Sequence, residues 1–215
     1  SKRLKNYPDP TKMLDTYGAD AIRLYMIYSP VVKAESLKFS EKGVQQLMRD
    51  LLIPWWNAYS FFVTYANVDG FADKEVVYPK SDNVLDKWIV SSMETLINDV
   101  TAAMDDYDLQ KSVRPFVKFV EDLTNWYIRR SRERFWDEDA DAFDTLYTVL
   151  EVVCRVTAPL MPLTTEEVWR GLTGERSVHL TDWPAVDDLP ADEALVASMD
   201  TVRDVCSAGS ALRKA

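Results

Sequence analysis

The chain has 215 residues, 47% of them hydrophobic and 12% aromatic, enough for a sizeable core in one domain with attachments or in two small domains. Its 25 Lys and Arg against 35 Asp and Glu give a formal net charge of −10, which argues against diffuse, sequence-blind binding to DNA. No run of about 18 apolar residues occurs, so no membrane span is expected, and the basic start SKRLK has no apolar stretch behind it and does not read as a secretory signal.

Helical periodicity dominates. Asp9-Pro10 is a cap and first-turn pair, with Leu14, Tyr17, Ala21, Leu24 and Tyr28 following at helical spacing until Ser29-Pro30 stops the helix. Val31–Phe39 alternates briefly and reads as a turn or short strand. Ser40 caps a second helix with Val44, Leu47, Leu51, Trp55, Ala58 and Phe62 on one face, and Pro54 inside it predicts a kink or restart. Asn67–Asp82, with Asp69-Gly70 and Pro79, reads as a loop.

A third helix starts near Asn83 and carries Leu85, Trp88, Ile89, Leu96, Val100 and Met104, closing at a tight Tyr107-Asp108 connection. The fourth places Val113, Phe116, Val117, Val120, Tyr127, Ile128 and Phe135 on a shared face and ends in the acidic run Asp137–Asp141. The fifth has Phe143, Leu146, Leu150, Val153 and Val156 and stops near Pro159. Thr164 and Glu167 form a capping-box pattern ahead of Val168-Trp169. Gly171–Pro190 reads as a loop with a short extended piece around Val178–Leu180, and a last helix begins near Ala191. The expected fold is all-α: an antiparallel helical bundle over residues 41–176, preceded by a small unit at 1–40 and followed by a connecting loop and the start of another helical region at 177–215.

The chemistry concentrates in LTNWYIRRSRERFW, residues 123–136, where four arginines against one glutamate give a local charge of +3 inside an acidic chain. At 100° per residue Val117, Val120, Thr124, Ile128 and Phe135 fall on one side of the helix. Trp126, Arg129, Arg130 and Trp136 fall broadly on the other, with Glu133 among them. One reading is a solvated face with internal pairs from Glu133 to Arg129 or Arg130. The other is an RNA-facing surface, since guanidinium forks match phosphates and Trp or Arg planes stack on unpaired bases. Trp55-Trp56-Asn57 reads as core plus a polar position. Arg23 and Lys33 flank Tyr25 and Tyr28 and are open to either surface or phosphate roles.

Catalysis has little to draw on. His179 is the single histidine, Cys154 and Cys206 lie in helical segments with no CxxC spacing, and neither a Walker loop nor GxGxxG occurs. The acidic pairs Asp105-Asp106 and Asp187-Asp188 lack a histidine or nucleophile beside them. Reduced thiols and a cytoplasmic setting are the simplest expectation.

Several stretches carry a resemblance. Ser1-Lys2-Arg3 resembles the tail of the KMSKS signature in its KMSKR variant. YGADAIRLYMIYSPVVKAE at 17–35, PWWNAYSFFVTYANVDGF at 54–71, NWYIRRSRERFW at 125–136 and SVHLTDWP at 177–184 are similar to isoleucyl-type class I aminoacyl-tRNA synthetases of the eukaryote-like kind. Valyl- and leucyl-type relatives share the architecture. The resemblance implies a stem-contact segment, then an anticodon-binding bundle, within an enzyme that charges tRNA with isoleucine using ATP and Mg. Lys2 is then the signature-loop lysine on the ATP phosphates, acting only in the full enzyme. Its implied partners are isoleucine tRNA and the other domains of the synthetase, with no DNA or membrane, and no cofactor is implied in this segment. The nucleotide-binding and editing domains of the family pattern have no counterpart in these residues, so the segment alone is expected to be inactive. The residues expected to bind tRNA are Trp126, Arg129, Arg130, Arg132 and Arg134. The competing expectation is a structural bundle that docks other synthetase domains.

Overall fold

The computed structural model describes residues 8–68, 70–71, 81–186 and 189–214; Ser1-Lys2-Arg3 and Asp187-Asp188 lie outside these. The described residues form helices and turns, with no strand among them, and no helix among them is long and apolar enough to cross a membrane.

Helix α1 (Pro10–Tyr17) opens as its sequence predicts: Asp9 accepts from the Thr11 N–H at 3.0 Å, and Pro10 occupies the first turn. The single helix expected across 10–28 is broken. Gly18 sits at φ 81°, ψ 159°, a conformation essentially reserved for glycine, and separates α1 from α2 (Ala19–Tyr28). The break rotates the apolar faces relative to one another, so Met13 is buried while Leu14 is exposed. Past Ser29 the chain makes a 3₁₀ turn at Pro30–Lys33 and then runs without regular structure, in place of the brief strand considered for 31–39.

Ser40 caps α3 (Glu41–Leu47) by accepting from the Gly43 N–H. Between α3 and α4 (Ile53–Val68) lies a π-helical stretch, Met48–Leu52. Pro54 lacks an N–H and crowds the carbonyl four residues back. The wider π turn, in which the Ile53 N–H reaches Met48 O, takes up that defect without ending the helix. Val44, Leu47, Leu51, Trp55, Ala58 and Phe62 are all buried, as their spacing predicts, while Trp56 stays 44% exposed.

Helix α5 (Val84–Asp105) is capped by Asn83 and packs against α6 (Leu109–Glu121) and α8 (Ala140–Thr157) as the centre of the bundle. The expected tight turn is present, with Tyr107 at φ 56°. A π-helical stretch, Asp122–Ile128, joins α6 to α7 (Arg129–Trp136) without a break in the helical path. α4 packs on α8, and α9 (Pro162–Thr173) packs on α2, α4 and α8.

Two terminal assignments differ from expectation. α9 starts at Pro162, not at a Thr164 capping box, because Asp20 in α2 accepts from the Thr164 N–H at 2.6 Å and caps the helix from a distant part of the chain. Val178–Leu180 is a 3₁₀ turn held by Glu166, which accepts from Ser177 Oγ and Val178 N, and not an extended piece. The last helix, α10 (Glu193–Lys214), forms close to where the sequence places it.

The buried Asp20 carboxylate fastens the 8–35 region to the bundle. Asp20→Ala should lower unfolding stability by about 1–2 kcal/mol, while Asp20→Asn, which keeps an acceptor, should lose less. A urea midpoint unchanged by the alanine would refute the cap.

Candidate nucleic-acid interface

The arginine-rich segment is set in place by its helical phase. From Leu123 onward the buried side chains Leu123, Tyr127, Ser131 and Phe135 recur every four residues. That spacing drifts by about 40° per step on an ordinary helix, and a π-helical stretch, with more residues per turn, cancels part of the drift. The 100° wheel therefore misplaces this segment: it puts Thr124 on the core face, whereas Leu123 and Asp122 are buried and Thr124 is only half-buried.

Phe135 anchors α7 between α4 and α8, edge-on to Phe61 at 5.0 Å and to Phe143 at 5.1 Å. Arg134 anchors it a second time. Its Nη1 and Nη2 donate to the two carboxylate oxygens of Asp86 at 2.7 Å each, and its Nε donates to Asp139 at 2.8 Å. Asp86, 1% exposed, also accepts from Tyr127 OH at 2.8 Å and Ser81 Oγ at 2.6 Å. Burial first, and then the neighbouring Asp86 charge, hold the Tyr127 phenol protonated well above its ordinary range. Hydrogen bonding to Asp86 raises Arg134 above its already high value. Arg134 thus does not belong with the other arginines: three of its N–H groups are committed to carboxylates inside the fold.

Arg129, Arg130 and Arg132 behave differently. All three are exposed, and none has an ion-pair partner among the described residues. The pairing of Glu133 with Arg129 or Arg130, the basis of the solvated-face reading, is absent among the described residues. Trp126 is half-buried against the core, donates from Nε1 to Met199 Sδ at 3.2 Å, and carries the Arg130 guanidinium 3.8 Å from its ring centroid. Trp136 is 58% exposed and donates to Tyr65 OH at 2.9 Å.

These residues line one wall of an open groove of about 1020 Å³. The opposite wall is α10, contributing Cys206, Ser207, Ser210 and Ala211. Nothing in the periodicity of α10 marks it as a wall; its small, uncharged side chains become relevant only once α10 lies beside α7. Beyond Trp126 the groove meets a mixed-charge patch, where Arg203 pairs with Asp122 and Lys118 pairs with Asp200 at 3.3 Å. Burial pushes the Asp122 carboxyl up, opposed by Lys118 and Arg203. The cationic character therefore lies at the Arg129–Arg132 end. Arg23 and Lys33 lie apart from the groove lining and are engaged elsewhere, Arg23 with the Pro159 carbonyl and Lys33 with Asp108. Both cysteines are free thiols, Cys154 buried and Cys206 exposed.

A groove lined by three guanidinium forks without ion-pair partners among the described residues, against the single carboxylate of Glu133, together with two indoles and a hydroxyl-bearing far wall, suits a phosphate-containing chain. The acidic remainder of the surface discourages binding elsewhere. Residues 86–215 match the family described as anticodon-binding domain of tRNA ligase, and residues 1–38 match tRNA synthetases class I (I, L, M and V). Isoleucine–tRNA ligase of Mycobacterium tuberculosis H37Rv is 52% identical over 215 residues, covering all of this chain and 20% of the relative. That of Protochlamydia amoebophila is 48% identical over 222 residues, covering all of this chain and 21% of the relative. The chain thus spans about a fifth of the length of these relatives. A chain in the crystal structure of the ternary complex of Agrobacterium radiobacter K84 agnB2 LeuRS-tRNA-LeuAMS shares the fold, with a TM-score of 0.68 at 20% identity over 91% of this chain and 22% of that one.

Removing one partner of a buried ion pair leaves the other charge uncompensated. Asp86→Ala should therefore destabilise the fold by about 3–5 kcal/mol, with part of the loss recovered by adding Arg134→Met. Urea denaturation of the two variants checks this; a loss below about 1 kcal/mol for the single variant would sink it.

Proposed function

The chain belongs to the anticodon-binding domain family of tRNA ligases, and from that premise we propose that it is the part of an isoleucine–tRNA ligase that grips the anticodon stem-loop of isoleucine tRNA. The observation that carries this reading is the groove between α7 and α10, where Arg129, Arg130 and Arg132 stand without carboxylate partners in a chain of net charge −10. An unpaired surface guanidinium in so acidic a protein keeps its full attraction for a polyanion within a Debye length of about 8–10 Å. Identity to isoleucine–tRNA ligases at about half of all positions supports the choice of amino acid.

In this reading the phosphate backbone of the loop lies along Arg129, Arg130 and Arg132, fixing register, while unstacked bases contact exposed aromatic and hydroxyl groups. Trp136 is the exposed indole of the groove. Arg134 does not reach the RNA because Asp86 and Asp139 hold it. The full enzyme would supply ATP-dependent activation, with ATP, accompanied by Mg, as substrate and Lys2 on the ATP phosphates. It would do so in the cytoplasm, and this segment alone would be inactive. Other domains of the same enzyme are further partners in this reading, and the far half of α10 is where they would dock. There Val205 and Leu212 are 66% and 79% exposed.

Binding of an isoleucine tRNA transcript and a non-cognate tRNA to the chain, measured against salt, tests the proposal. Affinity should favour the isoleucine tRNA and fall with rising salt. Arg129→Ala, Arg130→Ala and Arg132→Ala should each weaken binding and reduce the log–log salt slope by roughly 0.7 for each phosphate no longer neutralised. Equal affinity for both tRNAs, or no dependence on salt, would count against it.

A further inference from the structure

Trp126 invites assignment as a stacking platform for a base, yet its geometry assigns it other work. The Arg130 Cζ lies 3.8 Å from the centre of the indole, which is van der Waals contact, so that face is already filled. The ring is also partly buried against the core, and its N–H is spent on Met199 Sδ in α10. A second guanidinium, that of Arg203, lies 6.0 Å from the same ring. It pairs with Asp122, Glu121 and Asp200, so it holds no free charge for a ligand. Of these two guanidiniums near the Trp126 ring, Arg130 is the one that is exposed and without a carboxylate partner among the described residues.

A stacked guanidinium uses its face and keeps its N–H groups, which all lie in the plane of the fork, available at the edge. Stacking thus restricts the long, rotamer-rich arginine chain without consuming the hydrogen bonds that recognise an anion. We propose that Trp126 is a positioning residue: it holds the Arg130 fork edge-on to the groove so that an RNA phosphate meets a pre-ordered donor, and it offers no face to a base. This rests on the tRNA-binding reading and gives two of its residues one joint task. It also explains why the indole is tied to Met199. A ring fixed between the π-helical stretch and α10 keeps Arg130 at the junction of the two groove walls.

The test is a double-mutant cycle on isoleucine tRNA binding, with thermal stability followed in parallel. Trp126→Leu should weaken binding about two- to fivefold, the size of an exposed cation–π contact, while Trp126→Phe, which keeps an aromatic face, should retain most of the affinity. In an Arg130→Ala background Trp126→Leu should cost no further affinity, while the fall in melting temperature it causes should persist, smaller only by the lost Arg130 contact. In the free protein, the Arg130 side-chain protons should show a ring-current shift in NMR spectra that Trp126→Leu abolishes. Equal weakening by Trp126→Leu in both backgrounds would show that the indole meets RNA directly or acts through the fold, and would overturn the assignment. So would unchanged affinity on Trp126→Leu where Arg130→Ala weakens binding. Either result leaves the tRNA-binding reading standing, whereas failure of the unmodified chain to bind isoleucine tRNA removes both.

Discussion

The buried carboxylate of Asp86 is the fixed point of this structure. It collects a bidentate guanidinium, a phenol and a serine hydroxyl, and through them joins the start of α5, the π-helical stretch and α7. Asp139 accepts from the third side of Arg134 and also from the Asp141 N–H at 3.0 Å, so the same cluster reaches the cap of α8. A buried ion pair of this kind is a poor source of net stability, since desolvation offsets much of its attraction. Its effect is on geometry. Two parallel hydrogen bonds from a planar fork tolerate little rotation of the helix that bears it.

That rotation decides the fate of neighbouring arginines. Arg129, Arg130 and Arg132 project to solvent and Arg134 projects inward, although all four lie within six residues. An ordinary helix through 122–128 would turn α7 by a different amount relative to α6, and the fork could not then meet Asp86 while Phe135 sat between Phe61 and Phe143. The π-helical stretch and the Asp86 pair are thus two parts of one constraint. The irregular turn sets the phase, and the pair with its aromatic neighbours holds it. The cationic wall of the groove is a consequence of that phase, not of the composition of the segment.

The helices are legible in the sequence because their apolar side chains recur at helical spacing, even in α8, which is buried at every position from Thr148 to Cys154. Val44 through Phe62 and Phe143 through Val156 read correctly from spacing alone, and Pro54 announces the irregularity before α4. What spacing does not record is pairing across the chain. Asp20 carries no signal of its own in the helical run that contains it, yet it caps α9 from 144 residues away. Arg134 reads like its neighbours, because the carboxylate that claims it lies 48 residues earlier. The π-helical phase of 122–128 has no proline to signal it, so a fixed 100° rotation exchanges Thr124 for Leu123 on the core face. The far wall of the groove is invisible for a similar reason. Cys206, Ser207, Ser210 and Ala211 carry no signal of their own until α10 lies beside α7.

The two walls of the groove differ in how firmly they are held. α7 is secured by Phe135, Arg134 and the buried cluster around Asp86. α10 is attached over its first half, by Leu195, Val196 and Met199 against the core and by the ion pairs of Asp200 and Arg203. From Asp204 to Arg213 every residue is exposed. An isolated helical end of this length gains little from its own hydrogen bonds, so its stability comes from whatever it touches. The partners that fix its first half are partly ionic and exposed at the lysine and Asp200, which makes them sensitive to salt. A polyanion entering the groove therefore meets a rigid cationic wall and a compliant uncharged one. Under the proposed function the arginines would give the attraction, and a ligand that contacts both walls would bear the cost of holding the second in place. Trp126, bound to α10 through Met199 and to Arg130 through its face, is the residue at which those two effects are coupled.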